Sequence, residues 1–458
     1  MALSGSLPGH YRRDLSWNTE HSEFAFLCRA LGDDRALPDR QFSPLHRRRE
    51  HMESQEGADS QESRSSGLTR MRENSPQLGD GRNNPWLDLI RCVAILLVLC
   101  RHGERAFHHA TGEPLGPVGT VFINGWVGVD IFFVLSGYLI ARHLAGAGIG
   151  SGRFRIGRYL AMRGLRIVPA YLAVLALILV GAFPLYTIVH DNLPYRIAYH
   201  LLFLQDYLPS DINIVFWSLG VEEKFYLLAP FLMFGLLRCR TASAQALILV
   251  VLFALPPALR AYSYQTGHGA IEYAEFFQIF RSPFHMAMDG LVVGVGVAIV
   301  QQNGLLPASR HAGSFVLFVS MGALLIWLAS GDFIAEIGAI DAVAQPSIIA
   351  LLAGLMTLGA VQLSGARMPL ARPVRCVSRL SYCLYLVHFP LIPMVTALAS
   401  PHGSLAFWTF YIVASFFAAF LVHRGIERPF LDWKDRIAAR APVSAVPRAE
   451  ASKTVAVG

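Results

Sequence analysis

The sequence predicts an all-α polytopic membrane protein, with about ten transmembrane helices in one bundle and both termini in the cytoplasm. Three observations carry this reading. Hydrophobic residues make up 53% of the 458-residue chain against 16% charged, and the mean hydropathy is +0.42, a composition for which the bilayer is the natural solvent. Apolar segments recur near 87–105, 124–142, 168–188, 216–237, 245–263, 283–301, 313–330, 343–363, 380–398 and 405–424, each able as a helix to cross a hydrocarbon layer of about 30 Å. Arginine collects in alternate connections, as the positive-inside rule requires.

Before the first segment, residues 1–84 are polar and mixed in charge, with runs such as His46-Arg47-Arg48-Arg49-Glu50, and cannot bury a core. A disordered tail is expected there. It lacks an apolar stretch of about 7–15 residues followed by a cleavage site, so the first apolar segment must itself start insertion. Met52 and Met71 would also permit a later translation start. Residues 85–434 form one transmembrane domain, and residues 435–458 read as a second disordered tail.

The connection after the second segment carries Arg142, Arg153, Arg155, Arg158, Arg163 and Arg166 with no acid among them, which assigns it to the cytoplasm. Arg238, Arg240, Arg310, Arg367, Arg372, Arg375, Arg379, Arg428, Lys434 and Arg436 fall on the same side. The opposite connections hold Glu104, Glu113, Asp191, Asp206, Asp211, Glu272, Glu275, Asp332, Glu336 and Asp341. An even number of spans follows. A net charge of +7 could point to nucleic acid, but only Lys224, Lys434 and Lys453 are lysines, and the arginines sit between apolar stretches. Membrane lipid, not nucleic acid, is the expected partner.

Cys28, Cys92, Cys100, Cys239, Cys376 and Cys383 form no CxxC pair, and the chain shows no zinc site, P-loop or dinucleotide fingerprint. The cysteines read as inert thiols, and no bound metal or redox cofactor is expected.

Chemistry is expected where ionisable residues enter apolar segments, because such residues are costly in a membrane. Arg91 and His102 in the first segment are eleven residues apart. That is about 1100° of rotation, close to three whole turns, so they share one stripe roughly 16 Å apart along the axis. This geometry forbids a direct bond and suits a long donor such as coenzyme A, held by phosphate at Arg91 while His102 takes a proton from an attacking hydroxyl. The bland alternative is that Arg91 pairs with Asp88 and His102 merely ends the helix in the interface.

In the second segment Gly125, Gly128, Ser136 and Gly137 allow close helix approach. Asp130, placed at the level of His102, could orient that imidazole or simply face a wet vestibule. Ser136 lacks the second glycine of a nucleophile elbow. Arg163 and Arg166, three residues apart, share a helix face and can clasp a phosphate, or anchor to anionic lipid. Glu222 and Glu223 diverge by about 100°, so one is expected to line the site while the other pairs with Lys224 or meets solvent. Trp217, Phe225 and Tyr226 suit either an aromatic belt or a stacking surface for a sugar. Ser381, Tyr385 and His388 lie at helical spacing on one face, more in keeping with bundle glue than with catalysis.

Six pieces in order, namely Leu87 to His102, Gly125 to Tyr138, Arg163 to Pro169, Trp217 to Tyr226, Ser381 to Pro390 and Ile426-Glu427-Arg428-Pro429-Phe430, resemble the acyltransferase 3 family of membrane acyltransferases across roughly residues 85–434. The resemblance implies a ten-helix fold that transfers acyl groups, commonly acetyl, from cytoplasmic acyl-CoA as co-substrate to envelope polysaccharides, lipid-linked sugars or macrolide-type metabolites. It places the family's essential Arg and His on Arg91 and His102, its Arg-x-x-Arg pair on Arg163 and Arg166, and its acidic residue on Glu222. The long N-terminal tail, Arg101 directly before the histidine, and Lys224 in place of a glutamine depart from the pattern. No fused esterase-like domain follows the tenth segment, so any second activity is expected from a separate protein.

The expected mechanism has Arg91, Arg163 and Arg166 hold the donor phosphates. His102 then either deprotonates the acceptor hydroxyl or carries the acyl group. Asp130, Trp217, Tyr226, Tyr385 and His388 are candidate supporting residues. The rival is a proton-coupled transporter or channel using the same intramembrane Arg, His, Asp and Glu, although no inverted repeat of interrupted helices is visible. A pure scaffold would tolerate loss of Arg91 and His102.

Overall fold

The computed structural model describes residues 84–113, 116–149, 154–267, 273–306, 309–333 and 337–439. Both expected tails, apart from residues 84 and 435–439, and the loop charges Arg153, Glu272 and Glu336 lie outside the described residues, as does Cys28.

All ten apolar segments fall on helices: α1 Pro85–Thr111, α2 Gly128–Gly146, α3 Ile156–Leu179, α4 Trp217–Arg238, α5 Ala242–Gly267, α6 Asp289–Gln302, α7 Arg310–Ala329, α8 Gln345–Gln362, α9 Ala371–Ala399 and α10 Ser404–Val422. Among the described residues, seven helical stretches are long and apolar enough to cross a membrane. These contain α2, α3, α5, α7, α8, α9 and α10. The remaining three differ for visible reasons. α1 and α4 are interrupted by the ionisable residues singled out above, and α6 has 14 residues. A π-helical turn, His423–Glu427, leads from α10 into α11, Arg428–Ala439. Residues 435–439, expected in the tail, are therefore helical.

Local chemistry fixes α1 at both ends. Asn84 caps it by accepting from the Trp86 amide, Pro85 supplies the first-turn φ, and Gly112 closes it at φ 68°, the left-handed conformation that a Cβ disfavours. The Asn84 amide also donates to the Ala360 carbonyl at 2.8 Å, tying the start of α1 to α8. α1 packs against α9 and α2, and α2 packs against α6. Two glycines permit this. A Cβ on Gly128 would strike the Ala94 carbonyl of α1, and one on Gly137 would strike the Leu291 carbonyl of α6. The close approach expected of this segment is thus realised at its glycines, whereas Ser136 instead donates to Glu222.

α9 carries Pro390, which has no N–H for the Leu386 carbonyl one turn earlier. The Asn213 amide donates to that carbonyl at 3.1 Å. The repair locks the middle of α9, where His388 sits, to the turn that begins α4.

Candidate active site

α1 and α9 bring two imidazoles together. Nε2 of His388 lies 3.2 Å from Nδ1 of His102, with ring centroids 5.1 Å apart. The ring of Phe389 meets His102 edge-on at 5.3 Å. The hydrogen-bond partners dictate the tautomers. Nδ1 of His388 faces the Leu384 carbonyl at 2.9 Å, and a carbonyl only accepts, so the proton of neutral His388 sits on Nδ1 and its Nε2 offers a lone pair. Nδ1 of His102 then faces two acceptors, that lone pair and the Val98 carbonyl at 3.0 Å, and must carry its own proton. What remains on His102 is an unprotonated Nε2, the atom a general base needs. His388 is fully buried, and its contact goes beyond the bundle glue expected from spacing.

Arg91, on the same helix, pairs with Asp88 at 3.3 Å. Asp88 also accepts from Ser378 at 2.8 Å and lies 3.9 Å from Arg375, so the local pairing weighed as the bland alternative is present. Arg91 nevertheless remains an electrostatic neighbour of Arg166. Arg163 lies over the rings of Tyr226 at 5.6 Å and Tyr159 at 5.8 Å. Among the described residues, neither Arg163 nor Arg166 forms an ion pair with a carboxylate.

Glu222 accepts from Ser136 of α2 at 2.7 Å and from Tyr226 at 2.8 Å, with Arg163 and Arg166 as electrostatic neighbours. The structure thus gathers Glu222, Tyr226, Arg163, Arg166 and Arg91 at one end of the stripe and sets His102 with His388 further along it. Tyr385 supports the frame. Its hydroxyl lies 2.7 Å from that of Ser218 and donates to the Val215 carbonyl at 2.8 Å.

Several expectations change once the helices are packed. Asp130 does not orient His102. It receives a two-pronged bond from Arg281, at 3.2 and 2.8 Å, because Arg281 is buried and needs a counter-ion. Of the two alternatives for the second glutamate, pairing with Lys224 falls away, because that ammonium is taken by Asp206 at 2.6 Å and the Phe203 carbonyl at 2.7 Å, and Glu223 is left partly exposed. Trp217 and Phe225 are neither an interfacial belt nor an exposed platform. Both are buried, and Trp217 packs on Phe133, Phe277 and Arg281. Tyr226 is likewise buried and spends its hydroxyl on Glu222.

Sequence reasoning missed three buried ionic residues, Arg260, Asp289 and Arg281. Arg260 donates to Asp289 at 2.9 Å, Ser347 at 2.8 Å, the Val343 carbonyl at 3.0 Å and the Met286 carbonyl. The signal was available, an arginine inside the apolar run of α5, but it carried no spacing partner on its own helix. Among the described residues, Cys383, His423 and Glu427 are buried close enough together to hold a metal ion. Here the thiol (3.0 Å) and the imidazole (2.7 Å) both meet the same Glu427 oxygen, which closes the group on itself.

Comparison with known proteins places these residues in context. A family model described as an acyltransferase domain, of the acyltransferase 3 type, matches residues 84–424. The chain is 24% identical over 374 residues to the peptidoglycan O-acetyltransferase OatA of Listeria monocytogenes, covering 75% of this chain and 55% of that protein. It is 25% identical over 390 residues to the putative peptidoglycan O-acetyltransferase YrhL of Bacillus subtilis, covering 75% and 54%. A putative acetyltransferase of Acidianus two-tailed virus is 29% identical over 224 residues, 48% of this chain and 61% of that protein. The chain spans about half the length of the curated bacterial relatives it matches. No solved structure matches it.

Proposed function

We propose, starting from the fact that this chain belongs to the acyltransferase 3 family of acyltransferases, that it O-acetylates a carbohydrate or glycolipid of the cell envelope. Acetyl-CoA is the proposed donor, and the cytoplasmic membrane, with both termini on the cytoplasmic side, is the proposed location. The named substrate of the bacterial relatives, peptidoglycan, makes an amino-sugar polymer or its precursor the first acceptor to try.

The observation that carries this reading is the His102–His388 pair between α1 and α9, which leaves Nε2 of His102 as the unprotonated nitrogen. The acceptor hydroxyl gives its proton to Nε2, and its oxygen attacks the thioester carbonyl. The C–S bond breaks, and the proton held on His102 neutralises the leaving thiolate. His388 is a positioning residue, holding the ring by its Nδ1–H. Arg163 and Arg166, with no carboxylate partner, suit the phosphates of the donor. Arg91 contributes beside them while also paired to Asp88. Glu222, held by Ser136 and Tyr226, keeps these guanidinium groups in place between donors.

Membranes matched for expression of the wild type, Arg91→Ala and His102→Ala test the proposal with labelled acetyl-CoA. Transfer should fall by about 10²- to 10⁴-fold without His102, the usual worth of a positioned general base, and should also fall without Arg91. A folded His102→Ala protein that still acetylates the acceptor would sink the mechanism. A wild type that turns over no acyl donor would sink the function.

A further inference from the structure

Arg101 stands directly before His102, and only 3% of it is exposed. That enclosure is by protein, so the side chain is not reaching out to lipid or water at the interface in the manner of snorkelling arginines. One turn later Arg105 is exposed on the same helix face. Both guanidinium groups lie over one ring, that of Tyr273, at 5.4 and 5.3 Å. Neither has a hydrogen bond or ion pair with a carboxylate among the described residues. The intervening Glu104 forms an ion pair with neither, and its electrostatic neighbours are Cys100, His108 and Glu113.

Two like charges one turn apart repel, and a buried cation without a counter-ion is costly. One aromatic face offsets part of that cost. The other buried arginines among the described residues each hold an aspartate, Arg260 with Asp289 and Arg281 with Asp130. Arg101 and Arg105 are also electrostatic neighbours of His102, at the opposite end of the stripe from Arg163 and Arg166.

We propose that Arg101 and Arg105, backed by Tyr273, form an oxyanion subsite for the acceptor, which carries a carboxylate or phosphate close to the hydroxyl that is acylated. The inference rests on the acyltransferase reading above and narrows its substrate class from sugars to anionic sugars. The guanidinium forks bind two oxygens of the anion. Arg101 sets the depth at which the acceptor stops beside His102, and Arg105 marks the open side by which it enters.

The test uses the full chain in lipid nanodiscs with labelled acetyl-CoA and two matched acceptor pairs: an amino-sugar oligosaccharide with a free carboxylate against its amide, and a phosphate monoester against its unphosphorylated parent. Wild type should favour the charged member of at least one pair by about 10- to 100-fold in kcat/KM, the range of a charge-assisted contact. Arg101→Gln should lose most of that preference through KM, and Arg101→Lys should recover part of it. The readout is the ratio of kcat/KM between the charged and neutral members of a pair, in which any general loss of activity cancels. Arg105→Gln alters an exposed residue and should give the same direction with a smaller loss, which keeps the test decisive if Arg101→Gln does not fold. A wild type indifferent to charge in both pairs, or an Arg101→Gln protein that slows both members equally, overturns the subsite. Binding of anionic lipid vesicles lost in Arg101→Gln, with no discrimination between soluble acceptors, would assign the arginines to a lipid headgroup and also overturn it. If wild type fails to turn over acetyl-CoA at all, the acyltransferase reading is what fails. Calorimetric binding of the same acceptor pairs then still decides whether the subsite exists.

Discussion

Two parts of this bundle treat arginine in opposite ways. Between α2, α5, α6 and α8 the charges are closed. Arg260 spends its guanidinium on Asp289, Ser347 and two carbonyls, and Arg281 lies on Asp130 and the Trp126 ring, 4.4 Å away. Along α1 and the facing turn of α3 the charges are open. Arg101, buried, and Arg105, exposed, lie over the Tyr273 ring, while Arg163 and the exposed Arg166 have Glu222 only as an electrostatic neighbour; none of the four forms an ion pair with a carboxylate among the described residues. A closed ionic pair repays its desolvation inside the protein and holds helices together. An open cation awaits its counter-ion from outside, and here the open cations flank the one helix that carries His102.

The sharpest way to break this comparison is to open the closed layer. Asp289→Ala leaves Arg260 buried without its counter-ion and should cost about 3–5 kcal/mol, read as a large loss of folded protein in a detergent melt. Arg163→Ala, by contrast, should leave the melt nearly unchanged while weakening the donor. Equal melts for the two variants would erase the distinction.

A smaller effect is expected at the imidazole pair. His388→Phe removes the lone pair that accepts from His102 and should lower kcat by about 10- to 100-fold, a share of the general-base contribution. His388→Gln, whose carbonyl oxygen can accept the same bond, should recover part of it. A purely structural role for His388 predicts parallel losses in melting and activity and no recovery with Gln.

A pH-dependent effect lies outside the spans, in the helix Leu193–Leu201 between α3 and α4. Burial holds the His200 imidazole down at about 4. Above about pH 6.5 the ring is neutral whether the chain is folded or not. As pH falls from there toward 4, the unfolded chain takes up a proton that the folded one refuses, so stability drops by up to about 1.4 kcal/mol per pH unit. Melting between pH 7 and pH 4 should show that slope in wild type and less of it in His200→Gln. A slope unchanged by the substitution would remove His200 as its source.

The helical class and the positions of the ten segments were legible in the sequence because apolar length and arginine placement are local signals. The stripe of α1 was equally legible, since Arg91 and His102 share one helix and periodicity alone aligns them. What escaped was every pairing between helices. Asp130 looked like a partner for His102 because both lie at similar depth, but Arg281, 151 residues further along, reaches it first. His388 looked like glue because nothing on α9 itself announces an imidazole on α1. Lys224 sits beside Glu223 in sequence, yet helix geometry turns it toward Asp206. Spacing along one helix reports a shared face, and only packing reports who stands opposite.

The central claim is that open arginines meet substrate, and coenzyme A binding tests it most directly. Titrating coenzyme A into purified wild type and into an Arg163→Ala/Arg166→Ala double variant, each shown to be folded by its melt, should reveal binding to the wild type that weakens by about tenfold or more in the variant. Equal affinity in the two proteins, or no binding to the wild type, would contradict the assignment of these arginines to the donor.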